Sequence, residues 1–226
     1  MFQSTKPLQP QLMEEKGLSN WVTTSLREAI LNGNYEPGKK LDQDMLASEL
    51  NVSRTPIREA LKVLASEGFV EIRSYHGAFI PIISQQDIYD VYEIRWVVES
   101  EITRQATPSI PDDVLDHLEI LMEKENLPPD AESDKRFYQV DQELHGTIAG
   151  YCRNRLFKEI LDKLNNRIVR VRTFALHQPG FHLDNSHDEH VAIVAAIRSR
   201  DANEAARMMD LHLKNSARRI MKHING

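Results

Sequence analysis

The stretch "NVSRTPIREALKVLASEGFVEIRSYHGAFI", residues 51–80, decides the fold. Asn51-Val52-Ser53 reads as a turn, and Thr55 followed by Pro56 reads as an N-cap and first helical residue. Ile57, Leu61 and Leu64 recur at helical spacing as far as Glu67, and Gly68 stops the helix. From there the period changes to two. "FVEIRS" and "GAFIPI" are strand-like runs, with Tyr75-His76-Gly77 at the tip between them. Arg54 and Arg58 bracket the start of the helix, where the macrodipole disfavours cations. Cations placed there need an anion from outside the chain, and a DNA phosphate is the natural one.

Working outward toward the N-terminus, Val22, Leu26, Ala29 and Ile30 predict a helix over residues 19–32, stopped by Gly33. "NYEPGKKL" reads as a turn. Asp42 caps a second short helix running through Leu46 and Ala47 to Leu50. Three helices followed by a hairpin make a winged helix-turn-helix over residues 17–82, preceded by a flexible tail over 1–16. In that arrangement the second helix of the pair enters the major groove, and its first residues, Ser53, Arg54, Thr55 and Arg58, meet phosphates and base edges. Arg27, and Lys39 or Lys40, could add phosphate contacts. The ordinary alternative is that Arg58 pairs with a nearby carboxylate and Arg54 is merely solvated.

Beyond Ser84 no strand pattern occurs. Six helical stretches, near 84–106, 110–126, 132–149, 153–174, 185–199 and 201–223, predict an all-α bundle over 83–226. "LPPDAESD" and "HQPGFHLDNS" are its clearest loops, and "PIISQQD" is the boundary between the two parts. The fold class is therefore mainly α, a winged helix-turn-helix followed by a helical bundle.

Charge works against the DNA reading. The chain carries a net charge of −6. Residues 1–82 hold nine Lys and Arg against ten Asp and Glu, a net of −1, so any DNA footprint must be a local cluster. The near-neutral charge keeps a protein-docking module in play as another reading. Cys152 is the only cysteine, which excludes an intrachain disulfide and fits a reducing cytoplasm. Neither a signal-peptide pattern nor an apolar run of bilayer-spanning length occurs.

The bundle holds a second constellation. Asp141 and His145 in "DQELHGTIAG" stand four residues apart, on one face of a helix. His190 in "DEHVAIVAAI" lies beside Val191, Val194 and Ile197, and His212 in "MMDLHLKNSA" is stacked over Met208 and Met209. Three imidazoles and one carboxylate projecting inward suit a divalent metal such as Zn, Ni or Mn. Each histidine alone is more simply a core residue bonded to a carbonyl, and His187 could stand in for His190 one turn earlier.

"LREAILNGNYEPGKKLDQDMLASELNVSRTPIREALKVLASEGFVEIRSYHGAFI" resembles the DNA-binding domain of the GntR family of bacterial transcription regulators. The resemblance implies that Arg27, Arg54, Thr55 and Arg58 touch operator DNA and that the wing tip, His76-Gly77, reaches the minor groove. Many members carry a basic residue where this chain has His76. "VYEIRWVVES", "DQELHGTIA", "DEHVAIVAAIRSRDANEA" and "MMDLHL" are similar to the FCD ligand-sensing domain, in its six-helix, VanR-like branch. That implies the metal ligands Asp141, His145, His190 and His212. It also implies that Arg95 faces the effector cavity, where a guanidinium beside a metal clamps a small carboxylate. The alternative for Arg95 is an i,i+4 salt bridge to Glu99. The expectation is a homodimeric, ligand-responsive regulator, in the family's usual pattern a repressor. The rival from a different class is a metal-dependent hydrolase or oxidase using the His/Asp site, with Glu143 or Glu189 nearby as base.

Overall fold

The computed structural model describes residues 15–125, 133–176 and 186–224. The expected tail, apart from residues 15 and 16, and most of both breaker-rich loops lie outside the described residues. The chain divides into two units, residues 1–83 with 166–174, and residues 84–165 with 175–226.

The first unit contains α1 (Glu15–Leu31), β1 (Lys40–Leu41), α2 (Gln43–Glu49), α3 (Arg54–Ser66), β2 (Glu71–Arg73) and β3 (Gly77–Phe79). Helix α1 starts at Glu15, four residues before the expected start and inside the expected tail. Asp42 caps α2 by accepting from the backbone N–H groups of Asp44 and Met45. Each of the three helices ends in the same hydrogen-bond pattern. After α2 it is made by Val52 N–H to Ala47 and Asn51 N–H to Ser48, with Asn51 at φ +52°. Asparagine tolerates that left-handed turn, and the turn aims α3 away from α2. Ile57, Ala60, Leu61 and Leu64 form the buried stripe of α3, packed with Val22, Leu26, Leu46 and Phe69.

Two local expectations are corrected here. Helix α3 starts at Arg54 with Ser53 in the cap position, so Thr55 is not the cap and Pro56 is the third helical residue. Proline is tolerated there because its missing N–H falls among those that a first helical turn leaves unpaired. The sheet has three strands, in the order β1-β3-β2, because Lys40 and Leu41 inside the expected turn pair antiparallel with Phe79 and Ala78. Two residues carry no periodicity, so only tertiary pairing reveals the strand.

The second unit is helical: α4 (Gln85–Ala106), α5 (Asp112–Glu125), α6 (Ser133–Gly150), α7 (Arg155–Leu176), α8 (His187–Arg198) and α9 (Ala202–Ile224). These are the six expected helices. The middle of α7 belongs to the first unit, where Arg170 donates to the Gly68 carbonyl at 2.6 Å. Helix α4 opens with a capping box, Ser84 with Asp87. It packs against α6 and α9, while α8 lies against α5 and α9. The buried stripe of α4 is mostly apolar (Ile88, Val91, Tyr92, Val98, Ile102, Ala106), but Arg95 and Glu99 interrupt it. Charged residues on a core stripe are costly unless paired, and this pair leads into the site below.

Candidate metal centre and nucleic-acid interface

Asp141 and His145 rise one turn apart from α6, His190 comes from the first turns of α8, and His212 from the middle of α9. Their ligand atoms all lie within 4.8 Å of one another. His145 Nε2 is 3.3 Å from His212 Nε2. Asp141 Oδ1 is 3.6 Å from the Nε2 atoms of His145 and His190, and 3.9 Å from that of His212. Ligands about 2.1 Å from one tetrahedral ion lie roughly 3.4 Å apart, so the shorter of these separations fit a group that could hold a metal ion. His187, the sequence alternative, is not in the cluster.

The tautomers favour a cation at the centre. His145 Nδ1 faces Glu99 Oε2 at 2.5 Å, and His212 Nδ1 faces Glu189 Oε2 at 2.9 Å. A carboxylate accepts, so each Nδ1 carries a proton, and Nε2 is the ring nitrogen turned inward toward the cluster. The two Nε2 atoms, 3.3 Å apart, are matched either by a shared proton or by a metal ion between them. Both carboxylates are themselves held by arginine. Glu99 Oε1 accepts from Arg95 Nε at 2.6 Å, with both side chains buried. Glu189 is gripped by Arg219 and Asn215. Sequence reasoning missed Glu99 and Glu189 as holders of the imidazoles. Their signal was present, as a charged residue on the α4 core stripe and an acidic residue beside His190.

Burial tends to raise the Glu99 carboxyl, but the Arg95 charge and the His145 ring outweigh it and hold it far below the carboxylate range. Burial also opposes ionisation of Glu189, and bonds from Arg219, His212 and Asn215 overcome it, leaving about 2. His212 is pushed down to about 3, first by burial and then by the neighbouring rings, against the pull of Glu189. The imidazole is thus in its ligating, neutral form at pH 7.

Arg95 is 1% exposed and pairs with Glu99, the alternative weighed for it from sequence. Its Nη1 remains buried without a hydrogen-bond partner among the described residues, and its guanidinium stacks 4.9 Å over the Tyr92 ring. Glu143, a candidate base in the hydrolytic reading, instead pairs with exposed His117 at 2.7 Å.

On the first unit, Ser53, Arg54, Thr55 and Arg58 are all exposed at the start of α3. Ser53 makes no side-chain cap bond, and the first turn holds no acidic residue, so its N–H groups are not neutralised from within the helix. Arg54 forms an ion pair with exposed Asp44, whereas Arg58 forms none among the described residues. Arg27 is differently placed: its guanidinium forks onto Glu67 at 2.8–3.1 Å, tying α1 to the end of α3. His76 and Gly77 stand at the wing tip, Gly77 at φ +106°.

A winged DNA reader joined to a helical unit around a His/Asp cluster defines a two-part transcription regulator. Residues 18–80 match the model for bacterial regulatory proteins of the gntR family, and residues 90–215 match the FCD domain. The chain belongs to the GntR family of transcriptional regulators, in the group that carries an FCD domain. Among similar proteins is the Nta operon transcriptional regulator of Aminobacter aminovorans, 27% identical over 85% of this chain and 90% of that one. The transcriptional repressor GlaR of Escherichia coli is 28% identical over 83% and 89%. The structure of a GntR regulator from Rhodococcus sp. RHA1 matches with a TM-score of 0.73 at 20% identity, over 91% of this chain and 98% of that one. Escherichia coli McbR/YncC matches with a TM-score of 0.70 at 17% identity, over 95% and 100%. The Aminobacter aminovorans protein and Escherichia coli GlaR are named as regulators rather than enzymes, so the hydrolase or oxidase reading of the His/Asp cluster is set aside. Among the described residues no helix is long and apolar enough to cross a membrane.

Proposed function

We propose that this regulator is a homodimeric, cytoplasmic repressor whose FCD domain senses a small carboxylate through a bound divalent metal. The observation that carries the reading is the convergence of Asp141, His145, His190 and His212, with two of the imidazoles held by buried carboxylates. That donor set suits Zn, Ni or Mn, and the ion would supply a Lewis-acid anchor for one effector oxygen. Among the charged groups around it, Asp141, Glu99 and Glu189 stand against Arg95 and Arg219. A divalent ion would leave one surplus positive charge, which one carboxylate neutralises. Arg95 would meet the second effector oxygen through Nη1, a buried donor without an acceptor among the described residues.

Ser53, Arg54, Thr55 and Arg58 would read operator DNA from the start of α3, with His76 and Gly77 at the wing. Arg27 would act differently from the sequence expectation, by fixing α3 through Glu67 rather than by meeting DNA. Two winged domains in a dimer would span a short pseudo-palindrome. A ligand shifts DNA affinity only by binding two domain arrangements unequally. The repressor names among relatives favour release of DNA on effector binding.

The test has two arms. Elemental analysis of the purified protein is expected to find about one divalent ion per chain, lost in a His190→Ala, His212→Ala variant. Gel retardation on its own promoter region is expected to fail for Arg54→Ala with Arg58→Ala. Unchanged retention removes the DNA assignment, and absence of metal in the replete protein removes the sensor assignment.

A further inference from the structure

The wing poses an electrostatic problem. The wing-tip residue before Gly77 is His76, and a histidine carries little charge at neutral pH. The arginine of the hairpin is already committed: Arg73 bonds Glu71 through Nε and Nη2 at 3.1 and 2.9 Å, and its guanidinium lies 4.5 Å over the Phe79 ring. The hairpin formed by β2 and β3 therefore carries no uncompensated positive charge of its own with which to approach a phosphate backbone.

A lysine from a different strand stands there. Lys40 pairs with Phe79 across the β1–β3 ladder, and its neighbour Leu41 is buried, so the alternation of the strand turns Lys40 outward. Its side chain runs along the sheet to Gly77. A Cβ placed on Gly77 would lie 3.2 Å from Lys40 Cε and 3.9 Å from Nζ. Gly77 thus serves twice, by adopting φ +106° and by leaving room for the lysine stem. Lys40 is exposed, and among the described residues it interacts with Asp42 at a distance without forming a close ion pair. Two residues before Gly77, Tyr75 is fully exposed, at φ +63°.

We infer that Lys40, laid over Gly77, supplies the positive charge with which the wing meets the DNA backbone, in place of a basic residue on the hairpin itself. The inference rests on the DNA-reading assignment above. Lys40 and His76 differ in their consequences: an ammonium stays charged across pH 6–8, so the wing contact is independent of pH there, whereas an imidazole contact would strengthen as pH falls.

The experiment measures affinity of the full-length protein for a duplex of its own promoter region, between 50 and 300 mM salt and at pH 6 and 8. The proteins compared are the wild type, Lys40→Met, Lys40→Arg, His76→Ala, and Arg54→Ala with Arg58→Ala. Methionine keeps the stem that packs on Gly77, and circular dichroism checks the fold of each variant. Lys40→Met is expected to lose roughly three- to tenfold in affinity at 0.1 M salt and to lower the log–log salt slope by about one, the counterion share of one phosphate. Lys40→Arg should keep the wild-type slope, and His76→Ala, which removes a wing-tip contact, should lower affinity while the salt slope and pH response stay at their wild-type values. A wild-type slope in Lys40→Met overturns the inference, as does a loss of slope in His76→Ala that deepens at pH 6. If the Arg54, Arg58 double variant binds as the wild type does, or the wild type binds no DNA, the underlying reading fails and this inference with it.

Discussion

Glu99 Oε2 lies 2.5 Å from His145 Nδ1 while Glu99 Oε1 lies 2.6 Å from Arg95 Nε, so one buried carboxylate joins a buried arginine to a histidine of the His/Asp cluster. The same guanidinium–carboxylate–imidazole order recurs as Arg219, Glu189 and His212. Carboxylates in this position fix the tautomer and raise the basicity of the ring, and their loss costs about 10–100-fold in metal affinity. Glu99→Gln and Glu189→Gln should each weaken metal binding by about that factor, read by competition with a chromophoric chelator. Unchanged affinity in both would mean that the rings are held by packing alone.

Glu99→Ala should do more. It leaves Arg95 charged at 2% side-chain exposure without its partner, a situation that costs about 3–5 kcal/mol. Chemical denaturation should show that loss with and without metal, whereas the effect of His190→Ala on stability should be largest in metal-replete buffer.

Acid should destabilise the chelator-treated protein early, and the sign follows from two groups. His212 is lowered from 6.5 to about 3 in the fold. The unfolded chain therefore takes up a proton below about pH 6.5 that the native state refuses, and stability falls as pH drops through that window. Glu189 is lowered from 4.5 to about 2, so its stabilisation is present above pH 4.5 and is lost as pH falls toward 2. Thermal melts from pH 8 to 4 should show a midpoint that begins to fall between pH 7 and 6. A midpoint flat down to pH 5 would contradict the burial assigned to His212.

Asp44 occupies Arg54 at the start of α3, so on the proposed reading it would compete with DNA. The two side chains pair at the surface, with exposures of 60% and 74%, and an exposed pair of this kind is weak. Asp44→Asn should raise affinity for promoter DNA a few-fold by freeing Arg54 and removing a repelling charge. Arg58→Ala, with no pair to break among the described residues, should lower it about tenfold, within the range for an arginine fork on guanine. Equal affinities on the promoter and on unrelated duplex would assign both arginines to phosphates instead.

Arg27→Ala separates structure from recognition. Its pair with Glu67 is bidentate and about three-quarters buried, worth about 1 kcal/mol. Arg27→Ala and Glu67→Ala should each lower stability by that much, and the double variant should lose little further. The salt slope for DNA should stay at the wild-type value in Arg27→Ala, whereas a direct phosphate contact would reduce it by about one.

The sequence by itself determined the helices, the wing and the Asp141–His145 pair, and it named His190 and His212 as further members of the His/Asp cluster without fixing their convergence. Helical and strand periods, glycine stops at Gly33 and Gly68, and the Asp42 cap are local properties, written within a few residues of where they act. Asp141 and His145 were legible together because four residues make one turn. The convergence of His190 and His212 on that pair, with His187 left out, depends on how α8 and α9 pack beside α6. Spacing along the chain does not contain that packing. The same holds for Arg27, forty residues from the glutamate that occupies it, for the two-residue strand β1, and for Glu99 and Glu189 behind the imidazoles. Local backbone preference fixes which residues share a face. Which faces meet, and which charge is neutralised by which partner, is decided when nonlocal burial closes the core around them.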